Sequence, residues 1–153
     1  MDDFSRYEMP IRVRYAETDQ MGQVYHANYL VWFEAGRGHV MRELGLPYGR
    51  LEEAGFLLPV TRFDALMRIP AVYDDELRVR TWVELARSRA VHFRYHVVRG
   101  HEILAEGSTL HVSMDRKGRA VRMPVAATEL LTAYAARWPA PPARRPKPGH
   151  DPS

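Results

Sequence analysis

The 153-residue sequence has no cysteine, which removes disulfide staples, thiolate zinc sites, iron–sulfur clusters and cysteine nucleophiles in one step. A reducing cytoplasm is compatible with that. Long apolar runs are missing too, and Asp2, Asp3, Arg6 and Glu8 interrupt the amino terminus where a signal peptide needs a hydrophobic stretch. The expectation is a cytoplasmic chain with no membrane span. Charge of one sign is also scarce. Lys plus Arg total 22 against 19 for Asp plus Glu; residues Arg144, Arg145, Lys147 and Asp151 carry +2 of the net +3, which leaves the rest near +1. Such a body has no field for gripping a polyanion, so no nucleic-acid partner is expected. There is no internal repeat.

What is present fits one compact α+β domain. Apolar residues make up 46% and charged residues 27%, and about 150 residues is the usual size of a single core. The domain is expected over residues 1–138. A disordered tail is expected over 139–153, which hold six of the 11 prolines and no large apolar residue. Ile11, Val13 and Tyr15 alternate with Arg12 and Arg14, predicting a strand over 9–15. Leu30, Phe33, Val40, Met41 and Leu44 fall at helical spacing; Asn28 can cap the start and Gly45 with Pro47 stops the end, predicting a helix over 28–44. Gly36 and Gly38 each weaken that helix by about 1 kcal/mol relative to Ala, a loss usually offset by close approach to another backbone. The helix is therefore expected to lie against a sheet.

Four strand-like segments follow, over 56–67, 77–85, 91–98 and 103–114. In the second, Leu77, Val79, Thr81, Val83 and Leu85 share one face; in the third, Val91, Phe93, Tyr95 and Val97 do. Turn residues at Pro70, 73–75, 87–89, 99–100 and 115–118 favour antiparallel hairpins. A closing helix over Val125–Arg137 is expected to bury Leu130, Leu131 and Tyr134. An antiparallel sheet with one long crossover helix must wrap that helix to bury both. The expected fold is a curved antiparallel sheet of about five strands around one long helix.

Residues 15–30, between the first strand and the helix, are dense in groups able to move protons. Asp19 can serve as general base or nucleophile, and Gly22 permits positive φ or close approach of a ligand. The amides of 26–28 would point out of the helix start, where the helix dipole is positive. A carboxylate and an oxyanion-binding edge thus occur together. The ordinary alternative is that an Asp between strand and helix forms a turn or cap.

The run Tyr-x-Glu-Thr-Asp-x-x-Gly-x-Val-Tyr-His-Ala-Asn-Tyr-Leu-x-Trp-Phe-Glu, from Tyr15 to Glu34, resembles the signature of the 4-hydroxybenzoyl-CoA thioesterase family of hotdog-fold proteins, in its YbgC-type acyl-CoA thioesterase branch. The resemblance extends over residues 9–137. It implies a hotdog domain that hydrolyses an acyl-CoA thioester with no metal and no cofactor. It implies further that Asp19 is the catalytic carboxylate, that His26 and Tyr15 support it, and that the backbone N–H at His26 polarises the thioester carbonyl. Gly22, Val24 and Tyr25 belong to the same motif as substrate-binding positions. Arg87 and Arg89 match positions that contact coenzyme A phosphates, a role suited to guanidinium forks. Homodimers, or tetramers made of two dimers, are implied, with the site at the subunit junction. A carrier-protein thioester stands as an alternative substrate.

Two other functions are compatible with the same fold. A dehydratase acting on a 3-hydroxyacyl thioester would use His26 with Glu34 and leave Thr18 and Asp19 without a role. A non-catalytic acyl-CoA-binding module would tolerate loss of Asp19. His92 and His96, four residues apart on one strand, lie roughly 13 Å from each other at ~3.3 Å per residue, too far to chelate one ion. They are expected on the outer sheet face, which with Trp82 is expected to meet a partner.

Overall fold

The computed structural model describes residues 4–137, so the tail expected over 139–153 lies outside the described residues, as do positions 1–3 and 138 of the expected domain. Five strands, β1 (Met9–Arg12), β2 (Val60–Met67), β3 (Glu76–Ala86), β4 (Ala90–Arg99) and β5 (Glu102–Val112), form one antiparallel sheet in the order β1-β3-β4-β5-β2. The helices are α1 (Ala27–Glu43), α2 (Tyr48–Glu53) and α3 (Val125–Arg137). This is the α+β arrangement expected, with α1 packed on the inner face of the sheet.

The alternation on β4 gives that inner face: Val91, Phe93, Tyr95 and Val97 are fully buried, with Phe33 of α1 stacked on Tyr95 at 4.4 Å between ring centres. One of the two helix glycines acts as expected. A Cβ on Gly36 would sit 2.7 Å from Val79 Cγ1 and 2.8 Å from Thr81 Oγ1, so α1 touches β3 there as closely as a backbone can. Gly38 faces away from the sheet, and a Cβ there would meet only the end of the Arg42 side chain at 3.4 Å. At its end α1 closes with Gly45 N–H donating to Arg42 O and Leu46 N–H to Met41 O, the paired bonds of a glycine-terminated helix.

Several expected boundaries shift. The first strand stops at Arg12 because Glu17 reaches back to the Arg14 amide and winds residues Tyr15–Glu17 into a 3-10 turn, which turns Tyr15 out to 79% exposure. Asn28 is not the cap of α1; it lies in the first turn and its Nδ2 donates to Glu17 O. Residues 56–59 are not strand, since Pro59 has no N–H for a ladder, and the short helix α2 precedes them. A bulge between Val83 and Leu85 turns Leu85 onto the outer face, where it pairs with His92 and is 47% exposed. On α3, Leu131 and Tyr134 are buried together with Ala127, and Leu130 faces out at 41%. Tyr134 donates its hydroxyl to Thr81 O, covering the part of β3 that β1 is too short to pair.

The outer face is an ionic lattice. Glu84 holds His92 and Arg94, and Glu106 holds Arg68 and His96. Trp82 is already 6% exposed within the single chain, against the His96 ring, so it needs no partner to cover it. Among the described residues no cluster of His, Asp and Glu could hold a metal ion, and no helix is long and apolar enough to cross a membrane.

Beneath α1 a directed hydrogen-bond chain crosses the sheet. Arg37 Nη1 lies 3.1 Å from Tyr95 Oη, Tyr95 Oη 2.6 Å from Thr109 Oγ1, Thr109 Oγ1 2.7 Å from His111 Nε2, and His111 Nδ1 2.9 Å from Leu58 O. A guanidinium only donates and a carbonyl only accepts, so His111 carries its proton on Nδ1, and Tyr95 and Thr109 each donate onward. Burial, helped by the Arg37 charge, pushes the His111 imidazole down to about 4.

Two outcomes follow for stability. Gly36→Ala is expected to lower the unfolding free energy by about 2 kcal/mol through overpacking, while Gly38→Ala raises it by up to about 1 kcal/mol, as read by denaturant titration. Between pH 6.5 and about 4 the unfolded chain protonates at His111 and the folded chain does not. Stability should therefore fall by of order 3 kcal/mol as pH drops through that window, and His111→Gln should flatten the slope.

Candidate active site

The loop between β1 and α1 is built on a buried carboxylate. Glu17, 6% exposed, accepts the Arg14 amide on Oε1 at 2.9 Å and the Trp32 indole N–H on Oε2 at 2.8 Å, with Arg14 Nε 3.4 Å from Oε1. Its backbone oxygen accepts from the Tyr25 amide at 2.8 Å and from Asn28 Nδ2 at 2.9 Å. Burial works to raise the Glu17 carboxyl, but the Arg14 amide, the indole and the Arg14 guanidinium hold it below the usual carboxylate range. Glu17 thus stays ionised and ties both ends of the loop to α1.

Between those ties, residues 18–24 form a tight reverse turn. Thr18 pairs with Val24, Asp19 N–H donates to Gln23 O at 2.8 Å, and Gly22 N–H donates to Asp19 O at 3.0 Å. Gly22 takes φ +77°, a value that L side chains adopt only with strain, so this turn requires glycine. Asp19 Oδ1 accepts the Met21 amide at 2.9 Å. Asp19 is thus a turn former as well as a candidate for chemistry, and the turn bond fixes its carboxylate while leaving the second oxygen free of the turn. The loop is anchored on its far side by Val24 N–H donating to Ala71 O and by pairing of Gln23 with Val72.

Asp19 and His26 line one hollow of about 360 Å³, with Gln23, Val24 and Tyr29, closed by residues 67–70 at the end of β2. His26 stands at the N-terminus of α1, its side chain makes no capping bond, and its ring lies 4.4 Å from that of Tyr25. The first N–H groups of an α-helix have no acceptor within it, so the start of α1 offers donors and the positive end of its dipole beside the Asp19 carboxylate. Burial holds the Tyr29 phenol above its ordinary value, so it stays a neutral donor.

The remaining expected site residues are placed apart from this hollow. Tyr15 packs edge-on against Tyr73 at 5.8 Å. Arg87 and Arg89 flank the exposed β3–β4 turn, while the Asp19 loop is attached before the start of β3. The 11-residue strand between them spans roughly 33 Å. Within one chain those arginines do not reach Asp19. Glu34 lines a different cavity, about 12 Å along the helix from His26 at 1.5 Å per residue, which separates the pair a dehydratase would use. Sequence reasoning passed over Glu17, Trp32, Tyr29 and Arg68. Tyr29 was within reach, lying one helical turn after His26 on the same side. The Glu17–Trp32 bond, spanning 15 residues, carried no local signal.

Over residues 13–139 the chain matches the thioesterase-like superfamily. It is 36% identical over 126 residues to YneP of Bacillus subtilis strain 168, provisionally named an acyl-CoA thioesterase, covering 81% of this chain and 91% of that protein. A Thermus thermophilus protein of undescribed function, TT1821, has a crystal structure that superposes with a TM-score of 0.79 at 41% identity, covering 83% of this chain and 98% of that one. The DHNA-CoA thioesterase of Staphylococcus aureus superposes with a TM-score of 0.73 at 32% identity, over 75% of this chain and 78% of that one.

Trp32→Phe removes the indole donor from the buried Glu17 carboxylate. It is expected to lower stability by about 2–3 kcal/mol and to speed hydrogen exchange of the Tyr25 amide selectively, as read by NMR. A uniform speeding across the sheet would mean that Trp32 acts only as core.

Proposed function

The chain belongs to the thioesterase-like superfamily, and on that premise we propose that it hydrolyses an acyl-CoA thioester to the free acid and coenzyme A in the hollow shared by Asp19 and the start of α1. The observation that carries this reading is that single hollow: a fixed carboxylate and the donor end of a long helix face the same space. In the reaction the thioester oxygen accepts hydrogen bonds from the N–H groups at His26 and Ala27, which stabilise the charge that develops on it. Asp19 either takes a proton from a water that attacks the carbonyl carbon or attacks that carbon itself to give an anhydride that water then opens. In both cases the C–S bond breaks, the electron pair leaves on sulfur, and the thiolate takes a proton. A thiolate is a good enough leaving group to need no strong acid. His26 orients the water or the thioester. Gly22, Val24 and Tyr25 shape the turn that holds the substrate.

The active form is a homodimer joined through β2. All eight residues of this edge strand are exposed, including Phe63 at 59% and Met67 at 47%. Phe63, Ala65 and Met67 stand opposite the buried Thr109, Gly107 and Ala105, so they lie on the inner face, and Arg62, Asp64 and Leu66 on the outer. If a second β2 pairs antiparallel about Phe63, inner faces meet inner faces and each Arg62 stands opposite the other copy's Asp64. The strand is complementary to itself in that register. In such a pair the opposite end of the second sheet lies near this chain's Asp19 loop, which gives Arg87 and Arg89 a route to coenzyme A that one chain lacks.

Asp19→Asn should lower kcat for acyl-CoA hydrolysis, monitored by thiol release, by roughly 10²–10⁴-fold with the fold intact. Unchanged turnover would favour a binding module. Phe63→Asp should convert the dimer to a monomer by light scattering; a wild-type chain that is already monomeric contradicts the shared site.

A further inference from the structure

A larger cavity, about 770 Å³, opens on the side of α1 away from the Asp19 hollow, and the two share no lining residue. Its volume lies within the range of small-molecule sites. Val31, Ala35, Leu57, Leu58 and Met114 give it apolar walls. Arg37 also lines it, and Arg37 is only 7% exposed.

Glu34, three residues earlier on α1, lines the same cavity but is not paired with that guanidinium. Among the described residues no carboxylate oxygen comes within ion-pair distance of it; it donates to the Tyr95 hydroxyl, which is committed onward to Thr109 and His111, and it lies beside the Tyr48 hydroxyl. Burial holds the phenols of Tyr48 and Tyr95 above their ordinary values, so neither becomes a phenolate that would supply a counter-charge. Arg37 Nε and the Tyr48 hydroxyl are both buried without a partner. A buried cation beside a cavity, held only by neutral hydroxyls, is costly unless something anionic completes it. The carboxylates of the lining do not. Glu34 and Glu52 are exposed at the rim, and Asp115 is engaged by the amides of Lys117 and Arg119 in its own turn.

We infer that this cavity is a binding site for a carboxylate carried on an apolar body, with the carboxylate on Arg37 and the body against Val31, Ala35, Leu57, Leu58 and Met114. Arg37 is held in place by the chain ending at Leu58 O, so the site is preorganised on the sheet side. The carboxylate displaces no existing ion pair. A rim with Glu34, Glu52 and Asp115 against Arg42 and Arg116 offers no long-range attraction for anions. Selectivity comes from the buried charge, and a small inorganic anion, lacking an apolar body, binds weakly.

Because the cavity is separate from the Asp19 hollow, the source of this chemistry is a free organic acid rather than the acyl group of a thioester bound there. Isothermal titration of the full-length protein with octanoate and with octanol separates binding from catalysis, because neither probe requires turnover. Octanoate should bind at least tenfold tighter than octanol; Arg37→Met should erase the difference, and Ala35→Trp, which fills the cavity and leaves Arg37 in place, should abolish binding of both. Octanoate binding no tighter than octanol, or preference unchanged in Arg37→Met, overturns the inference.

Discussion

The buried carboxylate of Glu17 is the constraint on which the candidate site depends. It gathers the Arg14 amide, the Trp32 indole, the Tyr25 amide and the Asn28 side chain onto one residue, using side chain and backbone alike. Each of these bonds joins a different piece of chain: the end of β1, the core face of α1, the close of the loop and the first helical turn. An ionised buried group is expensive unless its hydrogen bonds are satisfied, and here satisfying them requires the loop to return to the helix start. The turn carrying Asp19 is thereby held within a few residues of the donor end of α1. The chemistry proposed for Asp19 follows from this placement, since a carboxylate alone, without donors for the developing oxyanion, would accelerate little.

A second constraint acts from beneath. The helix can present its N-terminus at the sheet's end only because it lies flat on β3, and Gly36 is where it touches Val79 and Thr81. The same contact pushes the opposite side of α1 away from the sheet. Gly38 lies on that side, and with Val31 and Ala35 it walls the larger cavity. One helix therefore separates two spaces of different character. The smaller holds a carboxylate and looks for an electrophile; the larger holds a guanidinium and looks for an acid.

Much of the fold was legible in the sequence because its signals were periodic. The unbroken alternation of Val91, Phe93, Tyr95 and Val97 marked a strand with one buried face, and all four are at 0% exposure. The closing helix was legible over its whole length. Legibility failed where a single long-range contact overrode a local pattern. Tyr15 continues the alternation of Ile11 and Val13, yet Glu17 bends the chain before it. Leu85 continues that of Val83, yet a bulge reverses it. Asn28 has the chemistry of a cap and instead serves Glu17. In the site, Asp19 and His26 could be found because they lie in one contiguous motif. The Arg37 site could not, since it depends on Tyr48 of α2 and Tyr95 of β4 meeting the guanidinium with no carboxylate paired to it.

The most direct measurement is a crystal structure of the protein with a non-hydrolysable thioether analogue of an acyl-CoA. The geometry requires the ligand's carbonyl oxygen about 3 Å from the N–H groups at His26 or Ala27, with the Asp19 carboxylate facing the carbonyl carbon directly or through one water. A carbonyl bound elsewhere, with Asp19 still engaged only by the Met21 amide and facing no part of the ligand, would reduce that residue to a turn former and contradict the account.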